Sequence, residues 1–371
     1  MTRTKSTDWC DAGGAVWNGR ETDGMRCPGG ARAAGPRRRT ALRLAAAVAV
    51  VAMLGATRAA HAQGGAIDAQ CRAGTASERM TQDACQKAID LLQFMAPQLG
   101  ATLTGGNAVL GEHSSLRGPG HFSLGLKANA LQSALPRVDE HTPSLTGAQA
   151  DDYTVRKQWI AAPVLDAAIG IFRGIPFAGT YALGVDALVN VAYIPSVNEG
   201  DFSLDAPDGS LKFGYGARLG LLAETFVTPG ISVTWLQRDL PTVNVQGRVS
   251  GDALDVQNVR VSTTAWRVVA GKNLSVFGLA VGGGQDHDAT RADVQVTVNQ
   301  MPAVMSNVIA ARQDLTRNNI FASIALNLPA LRVIGEVGRA SGGSLKTYNS
   351  FAGHRADDAR SYASLGLRVN W

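Results

Sequence analysis

Residues 362–371 read Tyr362, Ala363, Ser364, Leu365, Gly366, Leu367, Arg368, Val369, Asn370 and Trp371. Taken with period two, one face is Ala363, Leu365, Leu367, Val369 and Trp371, and the other is Tyr362, Ser364, Gly366, Arg368 and Asn370. Strict alternation over this length is a strand whose two sides meet different solvents. An edge strand of a soluble sandwich alternates in the same way. The rest of the chain therefore has to decide between the two.

The pattern recurs from His121 onward. Phe122, Leu124, Leu126 and Ala128 oppose Ser123, Gly125, Lys127 and Asn129. A second strand lies near Trp159 to Arg173, and a third runs from about Tyr181 to Ile194. In the fourth, Phe213, Tyr215, Ala217, Leu219 and Leu221 face Lys212, Gly214, Gly216, Arg218, Gly220 and Glu224. A fifth follows Pro229-Gly230, with Ile231, Val233 and Trp235 on one side. A sixth, roughly Leu254 to Ala270, alternates poorly. The seventh carries Phe277, Leu279 and Val281, the eighth Ile320 to Leu328, the ninth Leu331 to Gly338, and residues 362–371 are the tenth.

The connections alternate too. Long polar stretches follow the odd strands, at 137–158, 195–210, 240–253, 284–318 and 340–360, and short turns follow the even ones. In the longest, Val304, Val308, Ala311 and Leu315 have helical spacing, so Pro302 to Leu315 is expected to form an amphipathic lid or rim helix. Even strand number and one-sided loops are what a membrane barrel needs, because unpaired backbone groups in hydrocarbon forbid an open sheet. Mean hydropathy near zero agrees with apolar residues shown outward around a polar interior. The expected fold is all-β, a transmembrane antiparallel up-and-down β-barrel of about ten strands, within a range of eight to fourteen.

With its terminal aromatic, the last strand resembles the closing strand of bacterial outer-membrane β-barrels. The resemblance implies that Trp371 belongs to the signal read by the barrel-assembly machinery. It also implies delivery by periplasmic chaperones, outer-membrane lipid as surroundings, and the bacterial cell outer membrane as location.

The N-terminal part fits export. Arg37, Arg38, Arg39 and Arg43 precede an apolar run from Leu44 to Ala56, too short to span a bilayer, and Ala60-His61-Ala62 is a cleavage pattern, with the cut between Ala62 and Gln63. Residues 1–62 are thus a removed leader, 63–120 an N-terminal helix with a Gly-rich segment, and 121–371 the barrel. The leader holds ten Lys/Arg and four Asp/Glu, which leaves 25 basic and 26 acidic residues of the 35 and 30 in the whole chain. The basic pI reports the leader, and no nucleic-acid partner is expected. Cys71 and Cys85 remain after cleavage and are expected to form a disulfide in an oxidising compartment.

Ala84, Ala88, Leu91, Leu92 and Met95 give the helix an apolar stripe, with Ser77 as the expected N-cap and Pro97 and Gly100 as its end. Its other face mixes charges, which favours a lumen plug or a periplasmic cap over a surface helix. An exported chain with a plug-like N-terminal region, a barrel and a terminal aromatic resembles the FadL-type transporters of fatty acids and aromatic hydrocarbons. The ten strands counted here are fewer than that family has, and no motif matches residue by residue.

The inward positions read from alternation are Lys127, Asp166, Asp186, Asn190, Lys212, Arg218, Glu224, Arg332, Glu336 and Arg368. Such charges either pair and fill a narrow interior or line a polar path. Inward glycines, Gly125, Gly184, Gly214, Gly216, Gly220, Gly278 and Gly282, mark open space, strand kinks or room for the helix. The expected function is passive transport of small solutes, hydrophobic ones included. The alternatives are a structural or surface-recognition barrel acting through its loops, and an outer-membrane protease. The last rests on Asp286-His287-Asp288 and Asp151-Asp152 at the barrel mouth, which resemble the omptin proteases; yet Asp286 and His287 should point apart on a strand. Catalysis is not expected, and neither a nucleotide nor a metal cofactor is implied. If the facing is right, Leu219→Arg disturbs insertion and Arg218→Leu is milder.

Overall fold

The computed structural model describes residues 65–371 apart from 195, 200–201, 250–251 and 300–302. The leader and its cleavage site lie outside the described residues. Ten strands form a closed antiparallel ring: β1 (Phe122–Pro136), β2 (Val155–Phe172), β3 (Gly184–Tyr193), β4 (Leu211–Leu222), β5 (Gly230–Asp239), β6 (Asp252–Leu274), β7 (Phe277–Val298), β8 (Ile309–Asn327), β9 (Arg332–Ser341) and β10 (Arg360–Asn370). Each pairs with its neighbour in chain order. β10 returns to β1 with Leu367 opposite Leu126 and Arg368 opposite Gly125. Closure pairs the ladder groups of the ring on both sides, so no edge meets lipid.

The alternation is real in space. Leu124, Leu126, Ile169, Leu219, Val281, Ile324 and Leu365 all face outward and are exposed. On β6 the outward row from Trp266 to Leu274 is apolar except for Lys272, whose ammonium donates to Thr225 O at the short-turn end. At about 3.3 Å per residue and a tilt near 40°, that is a band roughly 20 Å tall, close to the apolar belt of a membrane barrel. Aromatics bound it. Tyr215 meets Trp235 edge-on at 6.0 Å between centroids on the long-loop side, and Phe122 stacks on Trp371 at 4.6 Å on the other.

Three strands are much longer than the belt requires: β6, β7 and β8 have 23, 22 and 19 residues. They form a tall wall above the ring on the long-loop side. Val243–Val249 pairs onto the upper part of β6, Phe202–Asp205 and Val197–Glu199 extend that sheet, and Val304–Met305 joins β7. This corrects the reading of 284–318 as a loop with a helical lid. Ile309 to Leu315 is strand, with Ile309, Ala311, Gln313 and Leu315 buried on one side; Pro302 lies outside the described residues. The apolar spacing there suits either period, and pairing with β7 decides it. The poor alternation of β6 also has a cause. A register shift between Gln257 and Arg260, with Asn258 at φ 52°, adds a residue and swaps the buried parity.

Ahead of β1 runs α1 (Ala76–Thr104). Its cap is Thr75, not Ser77: Glu78 accepts from the backbone N–H of Thr75 while the Thr75 hydroxyl accepts from that of Glu78, a complete capping box. The helix also runs on through Pro97, contrary to the sequence reading. Proline cannot donate to the Gln93 carbonyl four residues back, and Gln313 of β8 donates to it instead at 3.2 Å. The main apolar core lies above the belt, where Ala84, Cys85, Ala88 and Ile89 pack on Val256, Val259, Ala292, Val294, Val296 and Ile309. Cys71 and Cys85 are disulfide-bonded and belong to this core.

Candidate functional site

The candidate site is the lumen, and the protein's own N-terminal segment occupies it. The helix enters from the long-loop end. There Gly65 donates to the Thr347 carbonyl, Asp83 accepts from the N–H groups of Ser144 and Gln149, and Asp90 accepts from the backbone and side chain of Asn349. Lys87 sits between Asp83 at 2.6 Å and Asp151 at 2.7 Å. Burial in this junction pushes Asp90 above the ordinary carboxylate range, partly offset by its bonds from Asn349. In the loops above, Thr154 holds Glu140 below that range and Ser350 does the same for Asp152.

Deeper in, the helix ends with carbonyls that have no helical partner and carry the negative end of its dipole. Cations of the wall supply the partners. Arg238 donates to Leu103 O at 3.0 Å, and Arg267 donates to Thr104 O and to Gly106 O, both at 3.1 Å. Lys127 donates to Asn107 O at 2.9 Å, and Arg368 donates to Leu110 O at 2.8 Å. All four are buried. Wall carboxylates balance them: Asp286 pairs with Arg267 at 2.6 Å, and Asp166 pairs with Arg368. Glu336 accepts from the backbone N–H of Asn107 at 3.0 Å.

The chain then descends to the short-turn end. Asp186, paired with Arg218 at 2.8 Å, also accepts from Leu116 N–H at 3.0 Å. Glu112 meets Arg332 at 2.6 Å and Asn370 at 2.9 Å. His113 meets Glu224 at 2.8 Å. Burial raises Glu224, but bonds from His113 and Asn273 outweigh it and leave its pKa lowered. The inward glycines make room for this segment. A Cβ on Gly184 or on Gly220 would collide with Ser115, and one on Gly366 with Leu110.

The inward set read from alternation therefore separates into groups. Lys127, Asp166, Asp186, Arg218, Arg332, Glu336 and Arg368 all engage the N-terminal segment or a partner that does. Asn190 is buried opposite Asp166 and Gly214 in the register. Lys212 sits half-buried at the outer end of β4 and, among the described residues, makes no side-chain hydrogen bond or ion pair with the plug. Glu224 lies past the end of β4, in the turn to β5, because the strand stops at Leu222. Three contributors were missed. Arg238 follows from carrying the β5 alternation one more turn. The β6 bulge disguised Arg267, and Asp286 lay beyond the expected end of β7.

The proposed protease groups do not assemble. Asp286 and Asp288 point inward from the middle of β7, where Asp288 accepts from Thr263 at 2.6 Å. His287 points outward to Thr316 at 3.1 Å. Asp151 is held by Lys87, and Asp152 accepts from Ser350 and from the backbone N–H of Ala352.

A closed ring, an exposed apolar band between aromatic rows, and connections that are long at one end and short at the other have one physical setting. The chain is a membrane-spanning antiparallel β-barrel. No family model matches the sequence, and no curated protein matches it. Among solved structures the barrel is similar to the Pseudomonas putida toluene transporter TodX, at 13% identity over 72% of this chain and 97% of that one, with a TM-score of 0.29. It is also similar to the beta domain of the Bordetella autotransporter BrkA (12% identity, 67% and 98% covered, TM-score 0.29). A third is Ail of Yersinia pestis (9% identity, 68% and 99% covered, TM-score 0.26).

Proposed function

We infer that this barrel presents its N-terminal segment and long loops at the cell surface and, at rest, passes no solute. The observation that carries the reading is the set of bonds from Arg238, Arg267, Lys127 and Arg368 to successive carbonyls of one segment crossing the lumen. These groups leave the path for water and solute filled by protein. Passive transport, the first expectation from sequence, then requires the plug to move. The surface-recognition alternative requires no motion, because the disulfide-pinned helix start, the loops 137–154 and 342–359 and the tall wall form one packed head. No catalytic step is included: Asp286 and Asp288 serve Arg267 and Thr263.

The orientation is testable. An epitope inserted after Gln63 is expected to be labelled by antibody on intact cells. Labelling only after the outer membrane is opened would overturn the reading. Trp371, stacked on Phe122, serves in this reading as the assembly signal for the machinery that receives the chain from periplasmic chaperones. Trp371→Ser should lower the amount of assembled barrel while leaving the refolded protein's unfolding midpoint nearly unchanged; equal assembly would remove that role.

A further inference from the structure

Three arginines stand in line on the outer surface of the tall wall. Arg260 lies opposite Arg291 across β6 and β7, and Arg291 lies opposite Arg312 across β7 and β8. All three are exposed, while the alternating neighbours Val259, Val261, Ala292 and Ala311 are buried. Like charges set directly opposite one another destabilise a sheet, and an ion pair normally relieves them. Among the described residues, none of the three has an ion pair or a side-chain hydrogen bond. Of the nearby acids, Asp293 accepts from Asn258 at 2.9 Å and Asp239 accepts from Ser262 at 2.7 Å, while Asp208 and Asp314 lie close to the row without bonding to it.

The row borders two hollows. A groove of about 530 Å³ is lined by Lys212, Arg260 and Arg291 together with Asp208 and Asp239, and a second of about 250 Å³ by Arg260, Arg291 and Arg312 together with Asp293. Its height is informative. Arg260 is six residues above Trp266, the last apolar outward residue of β6, so it stands about 15 Å above the edge of the apolar belt. With the long loops at the cell surface, the orientation proposed above on which this inference rests, that level is where the outer leaflet of an outer membrane carries its phosphorylated saccharides. Guanidinium forks match phosphate oxygens in pairs. We propose that the row Arg260–Arg291–Arg312 binds phosphate groups of the outer-leaflet glycolipid, lipopolysaccharide, and so seats the tall wall in the saccharide layer. The ligand supplies the ion-pair partners that the three arginines do not find in the sheet.

The test uses the purified mature chain in detergent, titrated with lipopolysaccharide and followed by tryptophan fluorescence and by thermal unfolding. The triple variant Arg260→Gln, Arg291→Gln, Arg312→Gln is expected to bind about a hundredfold more weakly. A triple Arg→Lys variant should recover part of the loss. A control, Arg156→Gln with Lys157→Gln at the outer end of β2, should bind like the parent. Without lipopolysaccharide the triple Gln variant should unfold at the same or a higher temperature, because a repulsion has been removed. Dephosphorylated lipopolysaccharide should bind as weakly to the parent as intact lipopolysaccharide binds to the triple Gln variant. Three results would overturn the proposal: equal binding by parent and triple Gln variant, equal loss in the control, or a triple Gln variant less stable than the parent without ligand. Binding of inorganic phosphate as tight as that of lipopolysaccharide would overturn the lipid as its source.

Discussion

Replacing Arg267 by Met keeps the length of the side-chain stem and removes the charge that joins wall to plug. Arg267 makes five hydrogen bonds: to Thr104 O, Gly106 O and Gln285 O at 3.1 Å, to Trp266 O at 3.0 Å, and to Asp286 at 2.6 Å. Without it, Asp286 keeps only the amide of Asn319 at 3.2 Å. Leaving one member of a buried ion pair alone typically costs about 3–5 kcal/mol. Each orphaned plug carbonyl adds up to about 1–3 kcal/mol unless water reaches it, so the terms overlap. A loss of about 4 kcal/mol is therefore expected for Arg267→Met. The double variant Arg267→Met, Asp286→Leu removes the stranded charge as well and should lose only about 1–2 kcal/mol, about 2–3 kcal/mol less than Arg267→Met alone. The assay is urea unfolding of the refolded mature chain in lipid vesicles, read by tryptophan fluorescence. A single variant that loses under about 1 kcal/mol, or a double variant that loses the sum of both changes, would refute the pinning of the plug by buried charge.

Further outcomes follow from the same geometry. Leu219→Arg, which faces lipid from mid-strand, should cost roughly 2–4 kcal/mol of barrel stability. Arg218→Leu should cost at least as much, about 3–5 kcal/mol, because it strands Asp186; the milder effect anticipated from alternation alone does not survive the ion pair, and a near-neutral result in the same unfolding assay would restore it. Replacing both Cys71 and Cys85 by Ser opens a link of 14 residues in sequence and should destabilise the outer head by about 3 kcal/mol, seen as faster proteolysis near residue 70 with the ring still resistant. Glu140 and Asp152 have folded pKa values below their unfolded ones, so their contribution is present above the unfolded carboxylate range, about pH 4, and vanishes as pH falls through the folded values. Proteolysis of the loop 137–154 should accelerate below that pH in the parent, and Asp152→Asn should show a faster, flatter profile; identical profiles would remove Asp152 from the clasp.

The ring was legible because period two is forced wherever one face of a strand meets lipid. Leu219 and Arg218 declare their sides without help from a partner. The tall wall was not, because above the belt both faces of β6 to β8 meet protein or water, and the lipid-imposed contrast that guides the reading is gone. The bulge at Asn258 then swaps the parity of β6 and hides Arg267. Pro97 misled for a different reason: whether a proline ends a helix depends on who takes the freed carbonyl, and Gln313 is 220 residues away from Gln93. The inward charges were visible one by one. Their common purpose was not, since it is set by the path of residues 104–116 through the lumen, which no local pattern records.

The most direct measurement is the single-channel conductance of the mature chain, residues 63–371, in a planar bilayer, beside a shortened chain lacking 63–117. A filled lumen predicts silence from the whole chain and current from the shortened one. Steady current from the whole chain, with α1 intact, would contradict it.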